Sequence, residues 1–199
     1  MKRGRREFVK SLAGAAVIAP GSAGALHRSE GRSMKTTKTH DVAVIGAGVF
    51  GAWSAYHLQQ AGKSVALVDA YGPANSRASS GGESRIIRMG YGPNELYTRW
   101  SMRSLELWKG FFMRVGKPLF HRTGVLWMMH ENDQYSLDSL AMLQKLSVPH
   151  RKLSRSELEK SYPQIDFGPV TWGLLEPESG ALMARRAVQA VVDEIVRSG

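Results

Sequence analysis

Two sets of residues have types and spacings suited to chemistry. The run Gly46-Ala47-Gly48-Val49-Phe50-Gly51 puts glycine at its first, third and sixth positions, and Asp69 follows 23 positions after Gly46. Each glycine has a mechanical job around a pyrophosphate. Gly46 allows the tight turn, Gly48 lets backbone approach the phosphates, and Gly51 lets a helix pack closely on the preceding strand. A carboxylate at Asp69 accepts hydrogen bonds from a ribose diol, whereas an arginine would be expected for a ribose 2′-phosphate. The pattern therefore points to NAD or FAD and away from NADP. It marks Gly46, Ala47, Gly48, Val49, Phe50, Gly51, Asp69 and Ala70 as candidate nucleotide-binding residues. The second set is Arg85-Ile86-Ile87-Arg88. Two arginines three positions apart share one side of a helical turn, or lie diagonally on an extended chain, and suit one anionic target. The plainer reading of the same residues is a solvated basic turn.

The elements needed to position these residues are present in order. Asp41–Ile45 is a short apolar, β-branched run of the kind that forms a strand buried on both faces of a parallel sheet. Ala52–Ala61 has helical composition, Gly62 is a C-terminal stop, and Ser64–Val68 is a second strand ending at Asp69. Strand, glycine turn, helix and second strand make a complete βαβ unit. The helix N-terminus adds free N–H donors and a partial positive charge for phosphates. Ala70–Ser84 is then a long loop rich in Gly, Ser, Pro and Asn, a length more typical of function than of simple connection.

Charge and composition narrow the field. The 199 residues include no Cys, which excludes disulfides, thiolate metal sites, a cysteine nucleophile and a cofactor tethered through a cysteine of this chain. The formal charge of +10 raises nucleic acid as a partner, but residues 1–25 hold +4 of it and residues 26–39 another +3, so residues 40–199 keep only +3. No nucleic-acid partner is expected. Residues 1–25 run from a basic stretch through the apolar Leu12–Ala19 to Ala23-Gly24-Ala25, the order of a secretory signal with cleavage after Ala25. Arg5-Arg6-Glu7-Phe8-Val9-Lys10 resembles the twin-arginine export signal. The expected partner is thus an export machinery, and the expected location is periplasmic or extracellular. Residues 26–39 read as a flexible basic linker, and no apolar run is long enough for a stable membrane anchor. His121, His130 and His150 lack the spacing of a metal site, so no metal is expected.

Taken with several further segments, these motifs resemble the DAO family of FAD-dependent oxidoreductases, in its branch of monomeric sarcosine oxidase and N-methyltryptophan oxidase. The resemblance rests on the glycine unit with Asp69 and on Ser84-Arg85-Ile86-Ile87-Arg88 with Tyr91-Gly92. Arg103-Ser104-Leu105-Glu106-Leu107-Trp108, Thr123-Gly124-Val125-Leu126 and Glu176-Pro177-Glu178-Ser179-Gly180 complete it, over residues 40–199. It implies FAD as cofactor and oxidation of the C–N bond of a secondary amine or N-methyl amino acid, with electrons passing to oxygen or another acceptor. It places Arg85 near the flavin ring, Arg88 on the substrate carboxylate and Ser84 near the cofactor. Sarcosine oxidase has a histidine four positions before the first arginine, where this chain has Gly81. The family's oxygen-activating lysine and its cysteine tether for FAD come from downstream sequence, so the chain is expected to be the N-terminal half of such an enzyme. The alternative is a non-catalytic nucleotide-binding fragment.

The implied fold is α/β: a Rossmann-like FAD-binding domain with the beginning of a second, α+β substrate domain, truncated relative to the family. Expected boundaries are 40–117 for the first part of the FAD-binding domain, 118–169 for the start of the substrate domain, and 170–199 for the return to the FAD-binding domain. Asn94–Val115 carries Leu96, Trp100, Leu105, Trp108 and Phe112 near helical spacing and reads as a core-facing helix. Phe120–Met129 and Val148–Leu153 read as strands, and Asp133–Leu146 as an amphipathic helix. Ser154-Arg155-Ser156-Glu157 caps a short helix, Val170–Leu175 is a strand, and Met183–Arg197 a final helix.

Overall fold

The computed structural model describes residues 39–199. The expected signal at 1–25 and nearly all of the expected linker at 26–39 lie outside the described residues.

β1 (Val42–Ile45) pairs in parallel with β2 (Val65–Val68), with Val42 opposite Val65 and Ile45 opposite Val68, and α1 (Val49–Gln60) crosses between them. Alternation along β1 turns Val42 and Val44 inward and leaves Ala43 and Ile45 outward. The expectation of a strand buried on both faces is not met. Ile45 is 79% exposed, because no described element covers the second face of this two-stranded sheet. The inner face packs on α1, whose Ala52 and Ala55 let α5 (Ala184–Ser198) approach closely through Ala187 and Val191. Trp108, Phe111 and Phe112 of α2 (Glu95–Val115) close this core.

Two antiparallel sheets follow. In one, β8 (Gly180–Leu182) lies between β3 (Arg85–Ile87) and β4 (Phe120–His121). In the other, β7 (Trp172–Glu176) lies between β5 (Val125–Met129) and β6 (Arg151–Ser154). A single run of chain from Trp172 to Leu182 is therefore the middle strand of both sheets. The expected Phe120–Met129 strand is split in two at Gly124, whose φ of +74° breaks regular pairing. Within the expected 170–199 segment, β7 pairs with β5 and β6, β8 pairs with β3 and β4, and α5 packs on α1.

α3 (Gln134–Lys145) and α4 (Arg155–Ser161) fall where the sequence puts helices. Ser154 caps α4 in a reciprocal capping box. Its hydroxyl accepts from the Glu157 N–H, and the Glu157 carboxylate accepts from the Ser154 N–H at 2.7 Å. α2 ends on Gly116 in the left-handed conformation, φ +67°. Its stripe is only partly core. Leu105, Trp108 and Phe112 are buried, but Leu96 is 56% and Trp100 59% exposed. At 21 residues the helix is about 30 Å long, and its N-terminal end is tied down on one side by buried Thr98 and by the Glu95–Lys145 pair to α3. No helix among the described residues is long and apolar enough to cross a membrane.

Candidate functional site

The glycine turn is built as its spacing requires. Gly46 has φ +102°, a conformation that strains any residue with a Cβ, and its N–H donates to Val68 O at 2.7 Å. A Cβ at Gly51 would overlap the Gly46 carbonyl oxygen and sit 2.9 Å from its carbonyl carbon. At Gly48 a Cβ would meet nothing within 4 Å, so the glycine there leaves an open approach to the helix start. α1 has no side-chain cap and no acidic residue in its first turn. The backbone N–H groups at its N-terminus are thus left for an anion, with no competing carboxylate.

Asp69 does two jobs at the end of β2. Its carboxylate accepts from Ala47 N–H at 2.7 Å and from Tyr71 N–H at 2.8 Å. These donors, Ala47 first, hold its pKa below the ordinary carboxylate range. A carboxylate has about four lone-pair positions, so capacity remains for a ribose diol. The bond to Ala47 also fixes the glycine turn against β2, a role that spacing alone does not reveal. Ala70 is exposed immediately beyond it.

The loop that follows is closed from α5. Arg185 donates to Gly81 O through Nε at 3.0 Å and Nη2 at 2.6 Å, and Arg186 pairs with Glu83. A Cβ at Gly81 would lie 2.6 Å from Ser76 O and 2.7 Å from Asn75 O, so the loop's path requires glycine there.

Arg85 and Arg88 do not converge on one target. Arg85–Ile87 is strand, so the helical-turn option falls, and residues three apart on an extended chain face opposite sides. Exposed Arg85 folds back onto its own loop, donating to Ser84 O at 2.8 Å and Ser79 O at 2.6 Å. Ser84 is exposed beside it. Arg88 instead lies between two rings, 4.4 Å from the Tyr91 centroid and 4.5 Å from the Trp127 centroid, with Nη1 donating to Gly90 O. Among the described residues its Nε and Nη2 meet no acceptor, which leaves one edge of the guanidinium fork for a carboxylate.

Sequence reading missed the polar groups beneath Arg88. Glu176, 1% exposed, accepts from Met89 N at 2.6 Å, Gly90 N at 3.0 Å, Trp127 Nε1 at 2.8 Å and Ser179 Oγ at 2.7 Å. Thr98 Oγ1 donates to Met89 O at 2.9 Å, Ser101 Oγ donates to Arg88 O, and Gly92 N donates to Ser139 Oγ at 2.8 Å. The available signal was polar residues, Thr98 and Ser139, on the inward faces of amphipathic helices.

A parallel βαβ unit with an open, uncapped helix N-terminus thus stands in one chain with antiparallel sheets and, directly after β3, an arginine with a free edge. The chain belongs to the DAO family, described as FAD dependent oxidoreductase, whose model matches residues 41–199. It is 34% identical over 159 residues to human peroxisomal sarcosine oxidase, covering 80% of this chain and 40% of that protein. It is 28% identical over 160 residues to N-methyl-L-tryptophan oxidase of Yersinia pestis, covering 80% and 43%. Among solved structures, NikD, an unusual amino acid oxidase essential for nikkomycin biosynthesis, matches with a TM-score of 0.64 and 25% identity over 80% of this chain and 42% of that one. L-proline dehydrogenase from P. horikoshii shares the fold, with a TM-score of 0.68 at 23% identity over 79% and 41%. The chain thus spans about two fifths of the length of these relatives. The family's cofactor is FAD, and the open Gly48, the uncapped α1 N-terminus and Asp69 fit its pyrophosphate and ribose.

Proposed function

We propose that the protein is an FAD-dependent oxidoreductase acting on the C–N bond of a secondary amine or N-methyl amino acid, with oxygen or another compound as final electron acceptor. The single observation that carries the substrate side is the aromatic-flanked guanidinium of Arg88 with its free Nε and Nη2 edge. That fork suits a carboxylate, paired in a charge-assisted and bidentate manner. The relatives named for sarcosine and N-methyl-L-tryptophan support a substrate bearing both a carboxylate and an N-methyl amine.

In this reading Gly46, Ala47, Gly48, Val49, Phe50 and Gly51 hold the pyrophosphate, and Asp69 with Ala70 the ribose. Ser84 and Arg85 lie on the flavin side, and Arg88 orients the substrate through its carboxylate. Bound FAD supplies the two-electron acceptor that amino-acid side chains lack. The test is Arg88→Ala in FAD-loaded protein. KM for an N-methyl amino acid should rise at least about tenfold, the equivalent of one charge-assisted bond. An unchanged KM refutes the carboxylate role, and FAD binding without turnover of any N-methyl amino acid favours a binding-only protein.

We also propose export through the twin-arginine route, with cleavage after Ala25 and a periplasmic or extracellular destination. Its support is the order of basic, apolar and small residues in 1–25, together with Arg5-Arg6 and Phe8. Replacing both arginines by lysine should retain the protein inside an exporting bacterial host. Continued export of that variant refutes the proposal.

A further inference from the structure

We infer that Glu176 is a positioning residue for Arg88, acting on both the backbone that launches the guanidinium and the ring that receives it. The inference rests on reading Arg88 as the carboxylate-binding residue. Two of the four donors to Glu176, Met89 N and Gly90 N, belong to the two residues directly after Arg88. A third is the indole N–H of Trp127, the ring over which Arg88 lies. One carboxylate therefore fixes both ends of the arginine's path.

Nothing about sheet pairing requires an acid at this position. The partners of Glu176 among the described residues are neutral N–H and O–H donors, and an apolar side chain would fill the C-terminal end of β7 at lower desolvation cost. What an apolar side chain cannot do is accept from two consecutive amides and an indole at once. Gly90 keeps the segment close, since a Cβ there would sit 3.1 Å from Glu176 Oε1 and 3.4 Å from Trp127 Cζ2. The carbonyls of Arg88 and Met89 and the Gly92 N–H are taken by Ser101, Thr98 and Ser139. Residues 88–92 are thus held from β7, α2 and α3 together. With its backbone fixed and its side chain stacked, Arg88 loses little rotamer freedom when an anion arrives. Glu176 contributes to carboxylate affinity without touching the carboxylate.

The experiment uses the 199-residue chain, with Glu176→Gln, Trp127→Phe and Arg88→Lys. Acetate serves as the carboxylate probe, and the Arg88 Nε–Hε and Trp127 Nε1–H NMR signals are the readouts. Wild type should show a Trp127 indole proton protected from exchange and an Arg88 signal that titrates with acetate. Glu176→Gln places an amide NH2 against N–H donors, so protection should fall, the free Arg88 signal should move, and acetate binding should weaken about tenfold. In the Arg88→Lys background, which keeps a charge but not the fork, adding Glu176→Gln should change acetate affinity less than about twofold. If Glu176→Gln does not fold, Trp127→Phe, which keeps the ring and removes the donor, should weaken acetate about threefold. Unaltered indole protection and an unmoved Arg88 signal overturn the inference, as does equal weakening in the Arg88→Lys background. If wild-type Arg88 gives no acetate response, the carboxylate reading of Arg88 fails. The displacement of its free signal by Glu176→Gln then still decides the positioning.

Discussion

The three glycines of the nucleotide turn make the same side-chain sacrifice for different reasons, and alanine substitution separates them. At Gly51 a methyl group would overlap the Gly46 carbonyl oxygen, lie 2.9 Å from that carbonyl carbon and sit 3.5 Å from Val44 Cγ1. Backbone on one side and a packed strand on the other leave no flexible atom to yield. The turn must open by more than about 1 Å to restore ordinary contact, and such overpacking costs about 1–3 kcal/mol. At Gly48 the methyl meets open space at φ −73°, which alanine adopts readily. The N-cap preference lost there, about 0.5 kcal/mol, is offset by the smaller entropy of the unfolded chain, about 0.4–1 kcal/mol. Gly48→Ala should therefore leave stability nearly unchanged while its methyl stands where the phosphates approach, weakening FAD binding about tenfold or more. Urea unfolding of the apoprotein and equilibrium FAD binding, measured on both variants, are the assays. Gly51→Ala should lose stability and FAD together, and Gly48→Ala should lose FAD alone. If Gly48→Ala binds FAD as wild type does, the pyrophosphate does not cross this turn.

Other perturbations address separate parts of the account. Asp69 has a folded-state pKa below its ordinary value, so its contribution to stability is present above that ordinary value, near 4, and is lost as pH falls through the lower folded value. Apoprotein stability should decline on acidification below about pH 4, and Asp69→Asn should flatten that decline in pH-dependent urea titrations while weakening FAD. Ser154→Ala removes the α4 capping box and should cost about 1 kcal/mol of stability with FAD affinity unchanged; a change in FAD affinity would contradict the separation of α4 from the cradle. Arg185→Gln releases the Gly81 carbonyl and should speed proteolytic cleavage within residues 72–84 while leaving the unfolding free energy within about 0.5 kcal/mol of wild type. Equal cleavage rates would show that the loop does not depend on Arg185.

The βαβ unit was legible because each of its parts has a local cause. A turn needs Gly46, an approach needs Gly48, a packed helix needs Gly51, and all lie within six consecutive residues. The Ser154–Glu157 cap was legible for the same reason. The exposed outer face of β1 was not, since the apolar residues of Val42–Ile45 look alike whether or not anything covers Ile45. Arg88 was found as a residue but not in its setting. Its partner ring belongs to β5, and the carboxylate that holds its backbone stands 87 positions from Met89, so no local spacing connects them. The apparent pairing of Arg85 with Arg88 failed because spacing does not distinguish a helical turn from a strand, and strand geometry sends the two side chains to different surroundings.

The most direct measurement combines flavin retention with carboxylate selectivity. The chain is purified with added FAD and mixed without oxygen with sarcosine or with dimethylamine, a secondary amine lacking the carboxylate, while flavin absorbance is followed. Stoichiometric FAD, bleaching by sarcosine and slower bleaching by dimethylamine are expected, with the preference for sarcosine reduced in Arg88→Ala. Failure to retain FAD, or FAD-loaded protein that sarcosine does not bleach faster than dimethylamine, would contradict the account.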